Sequence, residues 1–325
     1  MSYIIAHRGA SYHAPENTLA SFRTAIAMGA DGVETDVHLT RDGVLVLNHN
    51  YAIDGNSNGS GRISDMTLAE LRQYDFGGYK GEQFRGEPIA TLDEFLETVK
   101  DVQVINLELK APSDPSIPYV KPLLERVAAH GLTHKVILSA FRHSLLGEAK
   151  QWEPEIRVGL ILTTPVRKGE SRIADALAAL PQNKPVGLLK REDVVDISCG
   201  FSLADSGLQA KDNASALLEF AQALDALYPG MTVEEIQKTR AEQHDLESYL
   251  TTLDFTPEFL HIEYNAILHD PELPSRWQAR GYEMNPWTPD HPEEITAMIN
   301  AGCWGIITNR CDLGVAENRK RRENP

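Results

Sequence analysis

The chain has 325 residues, of which 42% are apolar and 24% are charged, a composition typical of globular proteins. Its net charge of −16 argues against nucleic acids and anionic membrane surfaces as partners, because both require a basic surface. No stretch approaches the ~18 consecutive apolar residues of a membrane-spanning helix, so we expect no integral membrane segment.

The N-terminal residues and the cysteines indicate in which cellular compartment the protein is expected. The segment MSYIIAHRGA lacks the basic start and apolar run of a secretory signal peptide. The three cysteines, Cys199, Cys303 and Cys311, are odd in number and form no CxxC pair or other ligand spacing. Such a set is more typical of a reducing compartment than of a disulfide framework, so we expect a cytoplasmic protein.

The predicted elements begin with a βα unit. The apolar segment YIIAH (3–7) is followed by a turn, RGASYHAPENT, and then by LASFRTAIAMGA (19–30), in which apolar residues recur at helical spacing. Pro15, Asn17 and Thr18 are residues that commonly begin helices, and Gly29 is a common stop.

Eight further segments have the short apolar pattern of strands, and helical patterns separate most of them. The strand candidates are GVETDV (32–37), VLVLNH (44–49), VQVINLELK (102–110), KVILSA (135–140), RVGLIL (157–162), FLHIEY (259–264), GYEMNPW (281–287) and WGIIT (304–308). The helical patterns include residues 91–100, 118–130, 143–151 and 291–301. Alternating strands and helices predict parallel βα repeats, and this number of repeats predicts one (β/α)8 TIM-barrel domain over residues 1–325.

Nine strand candidates are one more than such a barrel needs. Residues 32–37 and 44–49 are joined only by HLTRDG, which is too short for a parallel crossover, so we predict a hairpin there.

Two segments are longer than the connections that a simple barrel requires. We predict a small insertion near the barrel mouth over residues 51–90, which are rich in Gly and polar residues. Over residues 163–256 we predict a longer insertion or lid, with helical patterns around 172–180, 214–227 and 233–252.

Residues that could bind a metal ion or an anion, or transfer protons, lie at the C-terminal ends of the first predicted strands. Barrels of this kind have their active sites at these strand ends. These residues are His7, Arg8, Glu34, Asp36, His49, Glu108 and Lys110. Because side chains at i and i+2 of a strand share a face, Glu34 and Asp36 point together, as do Glu108 and Lys110.

These residue types form a chemically sensible set. Three carboxylates from two strands predict an oxygen-ligand site for one hard divalent cation, Mg²⁺ or Ca²⁺. Arg8 and Lys110 would lie beside that cation, where an anion could bind to all three positive charges. Two histidines can act as general acid and base near neutral pH, and the residues leave open which histidine has which role.

The sequence around these positions resembles the glycerophosphodiester phosphodiesterase family. The resemblance is carried by AHRGASYHAPENTLASFRTAIAMGADGVETDVHLTRDGVLVLNHN, then by NGSGRISDMTLAELR, PIATLDEFLE, NLELK, WT and GIITNRCDL. It is dense over residues 3–112, recurs at 135–145 and 281–314, and is weak across 163–256. The block that joins HRG, PENT and ExD is its most specific part.

The resemblance implies a role for each matching residue. The catalytic histidines of the family fall on His7 and His49, and its metal carboxylates fall on Glu34, Asp36 and Glu108. Its phosphate-contacting basic residues fall on Arg8 and Lys110, and Trp287 matches a tryptophan that helps to wall the substrate pocket. Glu16 and Asn17 of PENT are expected to tie the first loop to the barrel.

Three positions depart from the family pattern. The family usually has Asp where this chain has Asn50, Asp where it has Asn309, and an asparagine near Pro289. An amide can still hydrogen-bond to an imidazole, but it brings no charge, which puts the efficiency or preferred pH of the site in question.

The expected function is metal-dependent hydrolysis of small glycerophosphodiesters to glycerol 3-phosphate and an alcohol. The attacking group is either water or a neighbouring glycerol hydroxyl. One alternative is a phosphodiesterase for lysophospholipids or another bulky phosphodiester, which the long segment 163–256 motivates. Another is a binding or regulatory homologue with low activity, which Asn50 and Asn309 motivate. A barrel lyase or aldolase would use the three carboxylates but has no obvious use for His7 and His49.

Overall fold

The computed structural model describes residues 2–110, 116–162, 180–190, 230–236 and 246–323, with seven single residues between these ranges. Cys199 and nearly all of the helical patterns predicted around 172–180 and 214–227 lie outside the described residues. The chain divides into two compact units: residues 1–112, 116–162 and 255–325 form one, and residues 113–115 and 163–254 form the other. The assignment of residues 163–256 as an insertion or lid of a single domain stays a prediction.

The first unit is a nearly closed barrel of parallel strands. In the described residues the strands are β1 (Tyr3–Ala6), β2 (Gly32–Leu39), β3 (Leu45–Leu47), β4 (Val104–Leu109), β5 (Val136–Ala140), β6 (Arg157–Leu162), β7 (Phe259–Ile262), β8 (Glu283–Met284) and β9 (Gly305–Thr308). Eight of them follow the order β8-β7-β6-β5-β4-β2-β1-β9. Backbone hydrogen bonds of 3.0 Å from Trp304 N to Met284 O and from Ile307 N to Pro286 O join the two ends of this order. The predicted (β/α)8 fold is therefore confirmed.

The ninth strand forms the predicted hairpin. β3 pairs antiparallel with β2, with Val37 opposite Leu47. β3 ends before His49, two residues earlier than the sequence predicts. The reason is local: the side-chain amide of Asn48 donates to the carbonyl oxygen of Asn50 over 2.6 Å, which turns the chain away from the ladder. His49 therefore lies in the turn that follows the strand.

Helices connect strands of the barrel, and side chains cap the first turns of some of them. The helices outside the second unit are α1 (Leu19–Met28), α2 (Leu68–Leu71), α3 (Leu92–Val99), α4 (Val120–Ala129), α5 (Ser144–Trp152), α7 (Tyr264–His269), α8 (Leu273–Gln278), α9 (Pro292–Asn300) and α10 (Cys311–Glu323), and α6 (Leu246–Thr252) belongs to the second unit. Thr18 accepts a hydrogen bond from Ser21 N at the start of α1, and Thr91 and Glu94 form a reciprocal capping box at the start of α3.

The interior of the barrel contains an apolar layer. A buried cluster joins side chains of five strands, namely Ile5, Val104, Ile137, Phe259 and Ile307. On β4, Val104 precedes Glu108 by four residues, so this layer lies towards the N-terminal ends of the strands. Burying each large aliphatic side chain contributes about 1.5–3 kcal/mol, which makes the layer a rigid base for the polar residues.

The segment 51–90 has a small core of its own. Ile53, Ile63, Leu71, Phe76 and Ile89 pack with Val46 of β3. Two contacts connect this segment to the loop that follows β1. The Tyr79 hydroxyl accepts from Glu16 N over 3.1 Å, and Lys80 Nζ donates to Ser11 O over 2.6 Å. Its role as an insertion at the barrel mouth stays a prediction.

The described part of the second unit contains a short pairing between two of its segments. Pro185 forms an antiparallel bridge with Thr232, and Val186 N donates to Met231 O over 3.0 Å. Throughout the described part of the chain, each helix is either too short or too polar to cross a membrane.

Candidate active site

Three carboxylates meet where β2 and β4 run side by side. Glu34 and Asp36 lie on β2, Glu108 lies on β4, and Asp36 is the register partner of Glu108. One oxygen from each side chain lies within 4.8 Å of the others. Glu34 and Asp36 are almost completely buried. The structure thus brings together the three residues predicted as metal ligands.

Burial and mutual repulsion disturb the ionisation of these carboxyl groups. Burial raises the pKa of Glu34 well above its ordinary value, and the charges of Asp36 and Glu108 add to the effect. Burial also raises the pKa of Glu108 to about 7, although Lys110 acts to lower it. Burial acts in the same direction on Asp36, but positive charges, that of Lys110 foremost, hold its pKa well below its usual range. A cluster that carries such crowded negative charge is chemically suited to a hard divalent cation.

Lys110 lies between two of the carboxylates. Its Nζ is 3.2 Å from Asp36 Oδ1 and donates a hydrogen bond to Glu108 Oε1, and the side chain is only 1% exposed. Burial acts to lower the pKa of Lys110, but the charges of Glu108 and Asp36 outweigh it and raise the pKa. Lys110 is therefore a buried ammonium group held beside the acidic cluster.

Arg8 reaches the same cluster from the end of β1. Arg8 and Gly9 have positive φ angles of +55° and +78°, which turn the chain sharply after the strand. The backbone nitrogen of Arg8 donates to Glu34 Oε2 over 3.0 Å. Its guanidinium donates to Glu16 Oε1 over 3.1 Å, and its Nε lies 3.5 Å from Asp36 Oδ2. Glu16 thus orients the guanidinium from the side of the loop.

His7 precedes Arg8 and has both ring nitrogens near polar atoms. Its Nδ1 lies 2.7 Å from Asn309 Oδ1, and its Nε2 lies 3.9 Å from Glu34 Oε2. Burial, with a further contribution from Arg8, lowers the pKa of His7 to about 3. The ring is therefore neutral at pH 7, with Nε2 on the side of the acidic cluster.

His49 lies in the turn after β3 and is partly exposed. Its Nδ1 is 2.9 Å from Asn50 Oδ1. Burial lowers the pKa of His49 well below its ordinary value, and the charges of Lys110 and Arg8 act in the same direction. His49 therefore experiences the same cations as His7. In this chain the amides of Asn50 and Asn309 occupy the positions beside the two imidazoles.

Trp287 lies in an apolar wall of the barrel. Its ring packs edge-on against Phe141, with the ring centroids 6.2 Å apart, and it also packs against the cluster that contains Ile307. The indole Nε1 is buried and has no hydrogen-bond partner in the structure. A buried donor without a partner is costly, so Trp287 has a donor available for a bound molecule.

Asn17 has the connecting role that the sequence predicts for it. Its Nδ2 donates to Asp36 Oδ2 over 2.9 Å, and its Oδ1 accepts from Thr35 Oγ1 over 2.7 Å. Both bonds are buried, and both join the first loop to β2. The positive φ of Asn17, +56°, is a conformation that Asn tolerates better than most residues do.

Two residues near the site are absent from the sequence-based set. Ser11 Oγ donates to Asn309 Oδ1 over 2.7 Å, and the carboxylate of Asp290 accepts from Asn309 Nδ2 over 2.6 Å. In the sequence, Asp290 is recognisable only as an acidic residue shortly before a predicted helix. That feature does not reveal a partner 19 residues away.

Comparison with known proteins gives consistent results. Residues 7–198 match the model of the glycerophosphoryl diester phosphodiesterase family. A glycerophosphodiester phosphodiesterase of Caldanaerobacter subterraneus subsp. tengcongensis is 39% identical over 159 residues, which are 49% of this chain and 65% of that protein. Glycerophosphodiester phosphodiesterase 1 of Mus musculus is 41% identical over 113 residues, 34% of each chain. The chain spans less than two thirds of the length of either relative.

Alignments with solved structures cover nearly the whole chain. A phosphodiesterase of Oleispira antarctica, solved in complex with the product sn-glycerol-3-phosphate, has a TM-score of 0.65 and 23% identity and covers 98% of this chain and 97% of its own. A glycerophosphodiester phosphodiesterase of Thermotoga maritima has a TM-score of 0.57 and 22% identity and covers 98% of each chain. The family model covers more than half of the present sequence, and the barrel agrees with these structures. This protein is therefore a member of the glycerophosphoryl diester phosphodiesterase family.

Proposed function

We propose that this protein hydrolyses glycerophosphodiesters to glycerol 3-phosphate and an alcohol, with the help of a divalent cation and two histidines. The observation that carries the proposal is the cluster of Glu34, Asp36 and Glu108 with Arg8 and Lys110 beside it. A protein of net charge −16 needs a locally positive site to bind an anionic phosphodiester. The product found in the Oleispira antarctica structure supports this substrate class.

The donor set fits a hard divalent cation. Glu34, Asp36 and Glu108 would hold the ion through carboxylate oxygens, and Asp36 Oδ1 is a buried oxygen without a hydrogen bond, although the Lys110 ammonium lies 3.2 Å away. A bound Mg²⁺ or Ca²⁺ would supply positive charge next to a phosphate oxygen. The three carboxylates do not distinguish the two ions, since both prefer oxygen ligands.

The remaining residues have roles that follow from their positions. Arg8 and Lys110 bind non-bridging phosphate oxygens and offset the charge that develops on them. His7 and His49 transfer protons: one accepts the proton of the attacking oxygen, and the other protonates the leaving alkoxide. Trp287 walls the pocket and offers its indole N–H. Each of these roles is part of the proposal.

The test is release of glycerol 3-phosphate from glycerophosphocholine. We expect activity in the presence of Mg²⁺ or Ca²⁺, its loss with a chelator, and its return when the cation is added back. We expect His7→Ala and His49→Ala to lower kcat by about 10²-fold or more, the typical contribution of general acid–base catalysis.

His269→Ala is the matched control, because His269 is an exposed histidine of α7. It should retain the wild-type rate. Undiminished activity in both His7→Ala and His49→Ala would contradict the proposed chemistry. Undiminished activity after complete removal of divalent ions would contradict the metal requirement.

The two alternatives from the sequence, a phosphodiesterase for bulky substrates and a binding homologue, stay predictions. Much of the segment that motivates the first lies outside the described residues. Cytoplasmic location likewise stays a prediction; Cys303 and Cys311 are buried free thiols.

A further inference from the structure

We propose that Asp290 is a positioning residue for His7: its carboxylate fixes the side-chain amide of Asn309, and that amide fixes the imidazole. Asp290 lies in the loop before α9, and Asn309 follows β9. The inference rests on the proposed function only where it concerns catalysis. Its structural part concerns this chain alone.

Both carboxylate oxygens of Asp290 accept hydrogen bonds from the segment Thr308–Asn309. Oδ1 accepts from Asn309 N over 2.9 Å and from Thr308 Oγ1 over 3.1 Å, and Oδ2 accepts from Asn309 Nδ2 over 2.6 Å. The backbone nitrogen of Asp290 in turn donates to Glu294 Oε2 over 3.1 Å, in the first turn of α9. The carboxylate is therefore held against both the backbone and the side chain of Asn309.

This contact determines which end of the Asn309 amide faces His7. An amide can rotate by half a turn and exchange its oxygen and nitrogen with almost no change in shape. An ionised carboxylate only accepts hydrogen bonds, so Asp290 requires the NH₂ end to face it. The Oδ1 end then accepts from Ser11 Oγ and from His7 Nδ1, both over 2.7 Å.

The orientation of the amide determines the tautomer of His7. Because Asn309 Oδ1 can only accept, the proton of the neutral ring resides on Nδ1. Nε2 then lies on the side of Glu34, at 3.9 Å, and is the nitrogen that exchanges a proton with the substrate. If the amide were reversed, its NH₂ group would face Nδ1 and favour the opposite tautomer.

The inference also explains two departures from the family pattern. The sequence has an amide at Asn309, where the family usually has a carboxylate, and a carboxylate at Asp290, close to where the family has an amide. In this chain the pair of Asp290 and Asn309 contains one carboxylate and one amide. Asn309 carries no negative charge, but the Asp290 carboxylate supplies one. That carboxylate is connected to His7 through the Asn309 amide, one hydrogen bond further away.

Exchange of the two groups gives a sharp experiment. Asp290→Asn leaves two amides, whose orientations are no longer determined by a carboxylate. Asn309→Asp places two carboxylates across a contact of 2.6 Å, where they repel each other. The double variant Asp290→Asn/Asn309→Asp again has one donor and one acceptor facing each other. The asparagine at 290 can donate to the new carboxylate, and the second oxygen of that carboxylate can accept from His7 Nδ1.

The first readout does not depend on activity. The ¹⁵N NMR shifts of histidine-labelled protein report the tautomer of each neutral imidazole, and His7→Ala identifies the His7 signals by their loss. We expect the Nδ1–H tautomer of His7 in the wild type, a loss of that preference in both single variants, and its return in the double variant.

The second readout is kcat for glycerophosphocholine. We expect each single variant to lower kcat by about tenfold or more, which is part of the roughly 10²–10⁴-fold that a general acid or base contributes, with a smaller change in KM. The double variant should recover to within about threefold of the wild-type rate, because a purely structural defect would not be cured by a second charge change.

Asp312→Asn is the matched control. It removes a neighbouring carboxylate that is bonded to Arg310 over 3.0 Å. It should leave the His7 tautomer unchanged. Melting temperatures verify that every variant is folded, and if one single variant does not fold, the other and the double variant carry the same comparison.

The proposal is overturned if folded Asp290→Asn keeps the Nδ1–H tautomer of His7, or if the folded double variant fails to regain it. A change in the His7 tautomer in Asp312→Asn would also count against the proposal. The tautomer would then respond to the loss of any nearby negative charge and not to the contact between Asp290 and Asn309. If the wild-type protein releases no glycerol 3-phosphate, the proposed function fails, and the NMR comparison still decides the role of Asp290.

Discussion

Asn17 Nδ2 donates a hydrogen bond of 2.9 Å to Asp36 Oδ2, and this bond connects the loop after β1 to a carboxylate on β2. Both side chains are buried, at 3% and 1% exposure, so water cannot replace the bond. Asn17 Oδ1 is also occupied, by Thr35 Oγ1. Asn17 thereby helps to hold Asp36 in position within the acidic cluster.

We expect Asn17→Ala to weaken cation binding and to lower the free energy of unfolding. The loss of a buried bond to a charged group costs about 1–3 kcal/mol. Asp36 also loses one of the contacts that fix its orientation, although Lys110 and Arg8 remain beside it. Isothermal titration with Mg²⁺ and urea unfolding in a chelator measure the two effects separately.

Asn318→Ala is a suitable control for this prediction, because Asn318 is also a buried asparagine and donates to Ser2 O over 2.8 Å. It should lower stability but keep the wild-type affinity for the cation. If Asn17→Ala and Asn318→Ala had the same cation affinity, the positioning role of Asn17 would be wrong.

The raised pKa of Glu108 predicts a dependence of stability on pH. In the folded protein this pKa is about 7, above its ordinary value of 4.5, so the folded state holds a proton that the unfolded state releases. The carboxyl group therefore reduces stability progressively between about pH 4.5 and pH 7 in the absence of a cation. We expect the stability of Glu108→Gln relative to the wild type, measured in a chelator, to be higher at pH 8 than at pH 5 by on the order of 2 kcal/mol.

Comparing the variant with the wild type at each pH removes the contribution of titrating groups that do not interact with Glu108. Added Mg²⁺ should stabilise the wild type more at pH 8 than at pH 5, because the cation competes with protons for the carboxylates. A difference between Glu108→Gln and the wild type that does not change with pH would contradict the raised pKa.

Lys110→Met tests the buried ammonium group. The substitution keeps an unbranched side chain but leaves Asp36 and Glu108 without their shared cation. Removing one partner of a buried ion pair costs about 3–5 kcal/mol. We expect a loss of this size in urea unfolding with a chelator, and a smaller loss at saturating Mg²⁺, because the metal ion would offset part of the uncompensated charge.

Lys150→Met removes a more exposed lysine that pairs with Glu258 over 2.6 Å, and it should cost no more than about 1 kcal/mol, with or without Mg²⁺. The interpretation of Lys110 as a buried counter-charge would be refuted if the two variants lost the same stability.

Trp287→Phe tests the indole donor. Phenylalanine keeps an aromatic ring against Phe141 but removes the N–H group, which has no partner in the structure. If the substrate accepts this hydrogen bond, KM for glycerophosphocholine should rise by about three- to tenfold, the equivalent of one net hydrogen bond, with little change in melting temperature. The exposed Trp152 provides the control, since Trp152→Phe should change neither value. An unchanged KM in Trp287→Phe would exclude a hydrogen-bonding role for the indole.

Much of the architecture could be predicted because it depends on short-range patterns. Alternating apolar segments and helices predicted the barrel, and the short connection after Val37 predicted the hairpin with β3. The two-residue period of a strand put Glu34 and Asp36 on one face, and the rule that barrel sites lie at the C-terminal strand ends selected Glu108 and Lys110. The prediction was wrong in detail at residues 281–287, where β8 is only two residues long. Asn285 N and Trp287 N still donate to Leu260 O and Ile262 O, but Pro286 between them has no amide hydrogen.

The sequence by itself thus determined the fold, the family and the chemical groups that stand at the strand ends. Only the tertiary structure decided how those groups are held. Asn17 bonds to Asp36, and Asp290 bonds to Asn309 and through it to His7, although the partners are 19 or more residues apart in each case. The reason is physical: periodicity specifies which face a side chain occupies, whereas a hydrogen bond between loops depends on where separate strands end in space.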